Sequence, residues 1–157
     1  MTDITAKLKE LGYTLPNAAA PAANYVPFVQ VGDLLHVSGQ IPWTQDAEPA
    51  LYKGVLGAGT TIEQGQKAAE LCAIGLLAQL SAAIDGDFSR LVQVVKLGGF
   101  VNSTPDFVDQ PAVINGASNL MVAALGDKGR HARTAVSAAS LPFGIAVEID
   151  GIFQIKA

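Results

Sequence analysis

LVQVVKLGGFV, from Leu91 to Val101, is rich in β-branched residues and apolar on both faces of a pleat. A segment of that composition and length reads as the central strand of a sheet. Helical patterns lie on either side of it. The preceding one starts at Thr60 or Thr61, where Thr60 with Glu63, or Thr61 with Gln64, has the spacing of a capping box. It runs to about Ile84 and stops at Asp85-Gly86. Its second half, LCAIGLLAQLSAAI, is apolar nearly all round, as expected of a helix covered on two sides. The following helix is expected from Ser103 or Thr104, with Pro105 in its first turn, a kink or restart at Pro111 and an end near Gly126.

Outside this unit the chain reads as strands. FVQV and LLHVSG flank Gly32-Asp33, a tight hairpin turn. Near the C-terminus, residues 133 to 141 and 145 to 155 are expected as strands around a turn at Pro142-Phe143-Gly144. Between Ile41 and Gly59 the prolines and glycines indicate loop, with room for a short edge strand over Leu51 to Leu56. Residues 1–16 are read as an N-terminal arm or short helix and 17–157 as one domain. The resulting order, β-β-α-β-α-β-β, is an α+β domain: a mixed sheet with two helices on one face. Because Leu91–Val101 is apolar on both sides, a partner subunit is expected to bury the second face.

Composition excludes several classes. The chain has 157 residues, half of them hydrophobic, and 10 basic against 14 acidic side chains give a net charge of −4. The longest stretches without a charge, Leu71 to Ile84 and Gln110 to Gly126, are shorter than the ~20 apolar residues of a membrane span and are broken by polar groups. The opening MTDITAKLKELGY has no apolar run and mixes acids with bases, so a cytoplasmic protein is expected. One cysteine, Cys72, forms no internal disulfide and reads as a buried small residue. His36 and His131 lack zinc-ligand spacing; the first reads as a structural strand residue, the second as a solvated loop histidine. Gly57-Ala58-Gly59 lacks the rest of a dinucleotide fingerprint, so no cofactor and no metal is expected. Lys128, Arg130 and Arg133 are too small a basic cluster for a nucleic-acid track.

On the last strand Val147, Ile149, Phe153 and Ile155 share one face, and Glu148, Asp150 and Gln154 the other. Arg133 begins the preceding strand. If the two strands pair as a hairpin, residue 139 faces 148, so Arg133 and Glu148 need a neighbouring chain to line one pocket. An arginine grips a carboxylate with two parallel donors, and a nearby carboxylate can orient or deprotonate a water. Together they suit hydrolysis of a small anionic substrate. Read alone, the pair is more simply explained by a surface salt bridge or a solvated strand end.

The segment Arg133-Thr-Ala-Val-Ser-Ala-Ala-Ser-Leu-Pro-Phe-Gly-Ile-Ala-Val-Glu148-Ile-Asp resembles the signature of the RidA (YjgF) family, an arginine, a Leu-Pro turn and a Val-Glu-Ile strand. Val37-Ser-Gly-Gln-Ile-Pro42 and Val94-Val-Lys-Leu-Gly-Gly-Phe-Val-Asn102 with Asp106-Phe107 resemble two further blocks of that family, in its order. The resemblance implies a chorismate-mutase-like fold, a homotrimer with clefts between subunits, and hydrolysis of 2-imino or enamine acids to 2-keto acids and ammonia. By position, Arg133 matches the residue that holds the substrate carboxylate and Glu148 the acid beside the attacking water. Tyr25 matches the pocket tyrosine, and Ser38 and Gly39 the pocket-lining strand end. Asn115 matches a helix asparagine once one residue is inserted before Arg133. Ala135 stands where the family often has cysteine, and Asn24 where it often has proline before the tyrosine. Extra residues around Asp109 to Ala112 and the arm before Asn17 mark a longer branch.

Two rival readings remain at this stage. One is a non-catalytic module that binds small carboxylates at the same clefts. The other is an endoribonuclease, which the negative charge and the absence of a paired-histidine motif disfavour. Trp43, just past Pro42, reads either as a cover over the pocket mouth or as loop packing.

Overall fold

The computed structural model describes residues 4–20, 23–42 and 52–156. Trp43 and Leu51, the first residue of the expected edge strand, lie outside them. A short helix α1, Ile4–Glu10, comes first and buries Ile4 and Leu8 in the core. Strands β1, Phe28–Val31, and β2, Leu34–Gln40, form the expected hairpin, with Gly32 supplying the positive φ of its turn (61°). Helix α2 spans Ile62–Ala83, β3 Leu91–Asn102, α3 Gln110–Leu125, β4 Ala132–Ala138 and β5 Val147–Ile155.

Of the two possible caps for α2, Thr61 is used. Its hydroxyl accepts from the Gln64 N–H at 3.2 Å while the Gln64 side chain accepts from the Thr61 N–H at 2.9 Å. Asp85 and Gly86 end the helix with positive φ, and Gly86 donates back to the Ser81 carbonyl. The start of α3 differs from expectation. Ser103 bridges to Leu56 and the Thr104 N–H donates to the Leu56 carbonyl, so tertiary pairing holds these residues extended. The helix begins seven residues later with Pro111 in its first turn, where a missing N–H costs nothing, and Pro111 makes no kink. Within the described part of the expected edge strand only isolated bridges from Lys53 and Leu56 are formed.

The sheet order is β1-β2-β5-β3-β4. This corrects the expected C-terminal hairpin: β4 and β5 are not neighbours, because β3 lies between them, parallel to β4 and antiparallel to β5. Residue 148 faces Phe100, and Phe100 faces Val136; residue 139 is past the end of β4. Likewise β5 separates β2 from β3, so the α2 crossover skips a strand and only the α3 crossover joins parallel neighbours. A short 3-10 turn over Pro142–Gly144 carries the chain from one side of β3 to the other.

The helices lie on one face of this sheet. Leu35, Val37, Leu97, Val101, Val147, Ile149 and Phe153 point into that layer and are buried. Contact between α2 and α3 is close: a Cβ on Gly116 would stand 2.2 Å from the Gln66 carbonyl oxygen, and one on Gly65 would stand 2.9 Å from Val113. The obstacle at Gly116 is backbone, which cannot rotate away. Gly116→Ala is therefore expected to push the two helices apart and cost about 1–3 kcal/mol, read as a lower urea midpoint at unchanged slope.

Candidate functional site

The register of β3 decides which side of the sheet each polar group reaches, since paired residues share a face. Arg133 pairs with the buried Leu97, so it points toward the helix layer. Glu148 pairs with Phe100 and points to the opposite, uncovered face. The two sequence-matched groups of one chain thus stand on opposite sides of their own sheet.

On the helix side, β4 is the edge strand and α3 runs over it. Arg133 Nη1 donates to Asn115 Oδ1 at 2.9 Å and to Ser118 Oγ at 3.2 Å, two acceptors one helical turn apart on α3. Both partners are neutral. Among the described residues no carboxylate lies within 4.0 Å of the guanidinium, and its Nε and Nη2 make no hydrogen bond. The edge is therefore an oriented positive group with unused donors. The resemblance had named Asn115 and Arg133 separately as substrate-binding residues; Ser118 was missed, because only the placement of α3 over β4 brings it there.

At the β2 bulge, between the sheet and α2, Tyr25, Ser38, Gly39 and Glu148 surround one cavity of about 210 Å3, together with Gln79 of α2 and Phe143. A bulge in β2 builds it: three residue steps from Val37 to Gln40 oppose two on β5, from Gly151 to Ile149. Gly39 sits in that bulge, and a Cβ there would come within 2.2 Å of Glu148 Oε1, so the glycine leaves the carboxylate its place. Ser38 ties the Tyr25 segment down, its N–H donating to the Pro27 carbonyl and its hydroxyl to the Val26 carbonyl, each at 2.9 Å. Tyr25 itself is 49% exposed.

Residues 16–20, from the chain between α1 and β1, close the far end of the cavity. Gln79, 2% exposed, holds them by donating to the Ala19 carbonyl at 2.8 Å, while its buried Oε1 has no partner among the described residues. The sequence signal for Gln79 was present, one amide within an otherwise aliphatic helix run. Phe143 stands at the mouth with φ of 59° and 68% exposure, a strained aromatic presented to solvent.

Burial raises the pKa of Glu148 above the usual carboxylate range, and the charge of Asp150, two residues along the same face, adds to it. Asp150 is also raised, mainly by burial, although the Gly98 N–H and Lys96 oppose the shift. Cys72 is fully buried beneath β5 with its thiol pushed well up by desolvation, so it is no nucleophile. His36 is exposed on the uncovered face. His131, expected in solvent, is instead half-buried with both ring nitrogens bonded: Nδ1 to the Gly129 carbonyl at 2.6 Å and Nε2 to Ser118 Oγ at 2.9 Å.

A family model described as "YjgF/chorismate mutase-like, putative endoribonuclease" matches residues 5–149. The crystal structure of the protein Atu1372 from Agrobacterium tumefaciens, described as of unknown function, is 52% identical, covering 98% of this chain and 92% of its own, with a TM-score of 0.90. That of "a putative endoribonuclease" from Shewanella oneidensis is 32% identical over 98% of this chain and 100% of its own, with a TM-score of 0.91. "Protein TCP17" of Trypanosoma cruzi is 48% identical over 154 residues, 98% of this chain and 94% of that protein. Among the described residues no helix is long and apolar enough to cross a membrane.

The raised carboxylates carry a stability consequence. Between its ordinary pKa and its raised one, Glu148 binds more proton in the folded chain than in the unfolded, so its contribution is present at low pH and is lost as pH rises through the raised value. Glu148→Gln removes that loss. Urea titrations at successive pH values are expected to show the variant gaining on wild type from the ordinary carboxylate range upward, with equal curves below it.

Proposed function

This chain belongs to the YjgF/chorismate mutase-like family, and from that footing we propose that it hydrolyses reactive 2-imino and enamine acids to 2-keto acids and ammonia, at clefts between the subunits of a homotrimer. The observation that carries the reading is Arg133: a guanidinium held by two neutral acceptors, with no carboxylate partner among the described residues and with free donors. Such a group is suited to a bidentate carboxylate.

Glu148 is the second component. It cannot serve the Arg133 of its own chain through the sheet, so the site takes its arginine from one copy and its acid, with Tyr25, Ser38 and Gly39, from another. The uncovered face supports that assembly. Val29, Val31, Phe100 and Val136 lie on it at 50%, 63%, 39% and 41% exposure, an apolar surface that a second copy would bury.

The chemistry needs little more. The imine carbon is already electrophilic; an enamine reaches the same state by taking a proton on its β-carbon. Water adds to the carbon of the protonated imine while Glu148 accepts one of its protons. That proton then passes to nitrogen, the C–N bond breaks, and ammonia leaves as the hydroxyl gives its proton to Glu148 and becomes the carbonyl. Arg133 fixes the carboxylate so that the carbon meets the positioned water. A carboxylate with a raised pKa exchanges protons nearer neutrality than an ordinary one, which suits a group that must act first as base and then as acid.

Arg133→Ala is expected to slow ammonia release from freshly generated 2-aminoacrylate by roughly 100-fold or more, the cost of leaving a bound carboxylate unpaired, with the assembly unchanged in size-exclusion chromatography. Equal rates for variant and wild type would remove Arg133 from the reaction. Assaying the same preparations on single-stranded RNA tests the endoribonuclease reading: cleavage by wild type that is lost in the variant would replace the deaminase proposal. Saturable 2-keto acid binding without rate enhancement on any imine would reduce the chain to a binding module.

A further inference from the structure

The acceptors beneath Arg133 continue into a chain of hydrogen bonds whose direction is fixed by chemistry. A carbonyl oxygen only accepts, so the 2.6 Å contact between His131 Nδ1 and the Gly129 carbonyl requires the proton to be on Nδ1. In the neutral ring Nε2 is then a bare acceptor. Ser118 Oγ, 2.9 Å away, satisfies it by donating its one hydrogen. That leaves Ser118 lone pairs to receive Arg133 Nη1 at 3.2 Å. Donation therefore runs in one sense, from Arg133 to Ser118 to His131 to the Gly129 carbonyl.

The far end of this chain is anchored. Gly129 is buried at the close of the 3-10 turn that follows α3, and a Cβ there would stand 2.2 Å from the Met121 carbonyl oxygen. Only glycine packs that tightly against α3, so its carbonyl is held on the backbone of the helix that also carries Asn115 and Ser118. The near end is the exposed edge of β4, where an arginine side chain otherwise has many rotamers. With Ser118 oriented by His131, Nη1 meets one acceptor whose hydroxyl is already fixed, beside the Asn115 Oδ1.

We propose that Ser118 and His131 are positioning residues for Arg133: they fix the plane of its guanidinium, so that the edge formed by Nε and Nη2 is presented, preformed, to the substrate carboxylate. The proposal rests on the reading of Arg133 as carboxylate anchor and extends it by two residues that do not themselves touch substrate. A fork fixed before binding loses less side-chain freedom when the ligand arrives. Because the carboxylate is gripped alike in substrate and transition state, loss of this positioning belongs in KM, with kcat retained.

The test combines spectroscopy with binding. In long-range 1H–15N spectra of the wild-type protein at a pH where the ring is neutral, His131 is expected as the Nδ1–H tautomer, and Ser118→Ala is expected to move the Nε2 resonance. In calorimetric titration with 2-oxobutanoate, Ser118→Ala and His131→Ala are each expected to weaken binding about three- to tenfold, the worth of one hydrogen bond. Ser118→Thr, which keeps the hydroxyl, should restore it to within about twofold of wild type on the same scale. On 2-aminoacrylate the alanine variants should raise KM by the same factor at unchanged kcat. An Nε2–H tautomer, or unaltered 2-oxobutanoate binding in both alanine variants, overturns the positioning role while leaving the carboxylate anchor in place. Wild-type protein that binds no 2-oxobutanoate overturns the anchor itself. A fall in kcat and thermal stability together, with no rescue by Ser118→Thr, would mark the residues as structural only.

Discussion

The register of β3 against its two neighbours is the constraint on which the rest depends. Leu97 faces Gly151 on one side and Arg133 on the other, while Phe100 faces Glu148 and Val136. A slip of one residue in either ladder would exchange the faces of a whole strand, driving Leu97 out of the core and turning Arg133 away from α3. Burial of Leu97, Val101, Ile149 and Phe153 beneath α2 and α3 pins that register. The placement of the polar groups is thus set by hydrophobic packing, with no energy taken from the polar groups themselves.

The same placement leaves two electrostatic demands unmet within one chain. Arg133 has hydrogen-bonding partners but no countercharge among the described residues, and Glu148 is a half-buried carboxylate whose ionisation is resisted by desolvation and by the charge of Asp150 on the same face. Unpaired groups of opposite sign on opposite sides of a sheet are complementary between copies and useless within one. In the proposed assembly the substrate carboxylate is the countercharge of Arg133, and Glu148 faces the water that attacks the imine carbon.

Much of this was legible in the sequence. Period and capping chemistry marked α2, the β1-β2 hairpin and β3, because each is specified by residues close together in the chain: Thr61 with Gln64, Gly32 with Asp33, the β-branched run after Leu91. The errors arose where distant segments compete. Ser103 and Thr104 look like helix caps until Leu56 pairs with them, and β4 and β5 look like a hairpin until β3 is inserted between them. The site divided in the same way. Tyr25, Ser38, Gly39 and Glu148 surround one cavity and Asn115 meets Arg133, whereas Ser118 and His131 carry no local signal that distinguishes them from an ordinary helix serine or loop histidine.

The arrangement around Arg133 also shows why the side chain at this edge is arginine. A lysine ammonium would reach one or both of Asn115 and Ser118, but its three donors radiate from a single atom, so orienting it toward α3 fixes no plane and leaves no second edge aimed outward. The guanidinium is flat and rigid: once Nη1 is held by two acceptors on α3, the direction of Nε and Nη2 follows from covalent geometry alone. Helix α3 therefore orients the group without touching the edge proposed to take the carboxylate, and Gly129, whose carbonyl ends the hydrogen-bond chain behind Ser118 and His131, is held by backbone packing against α3.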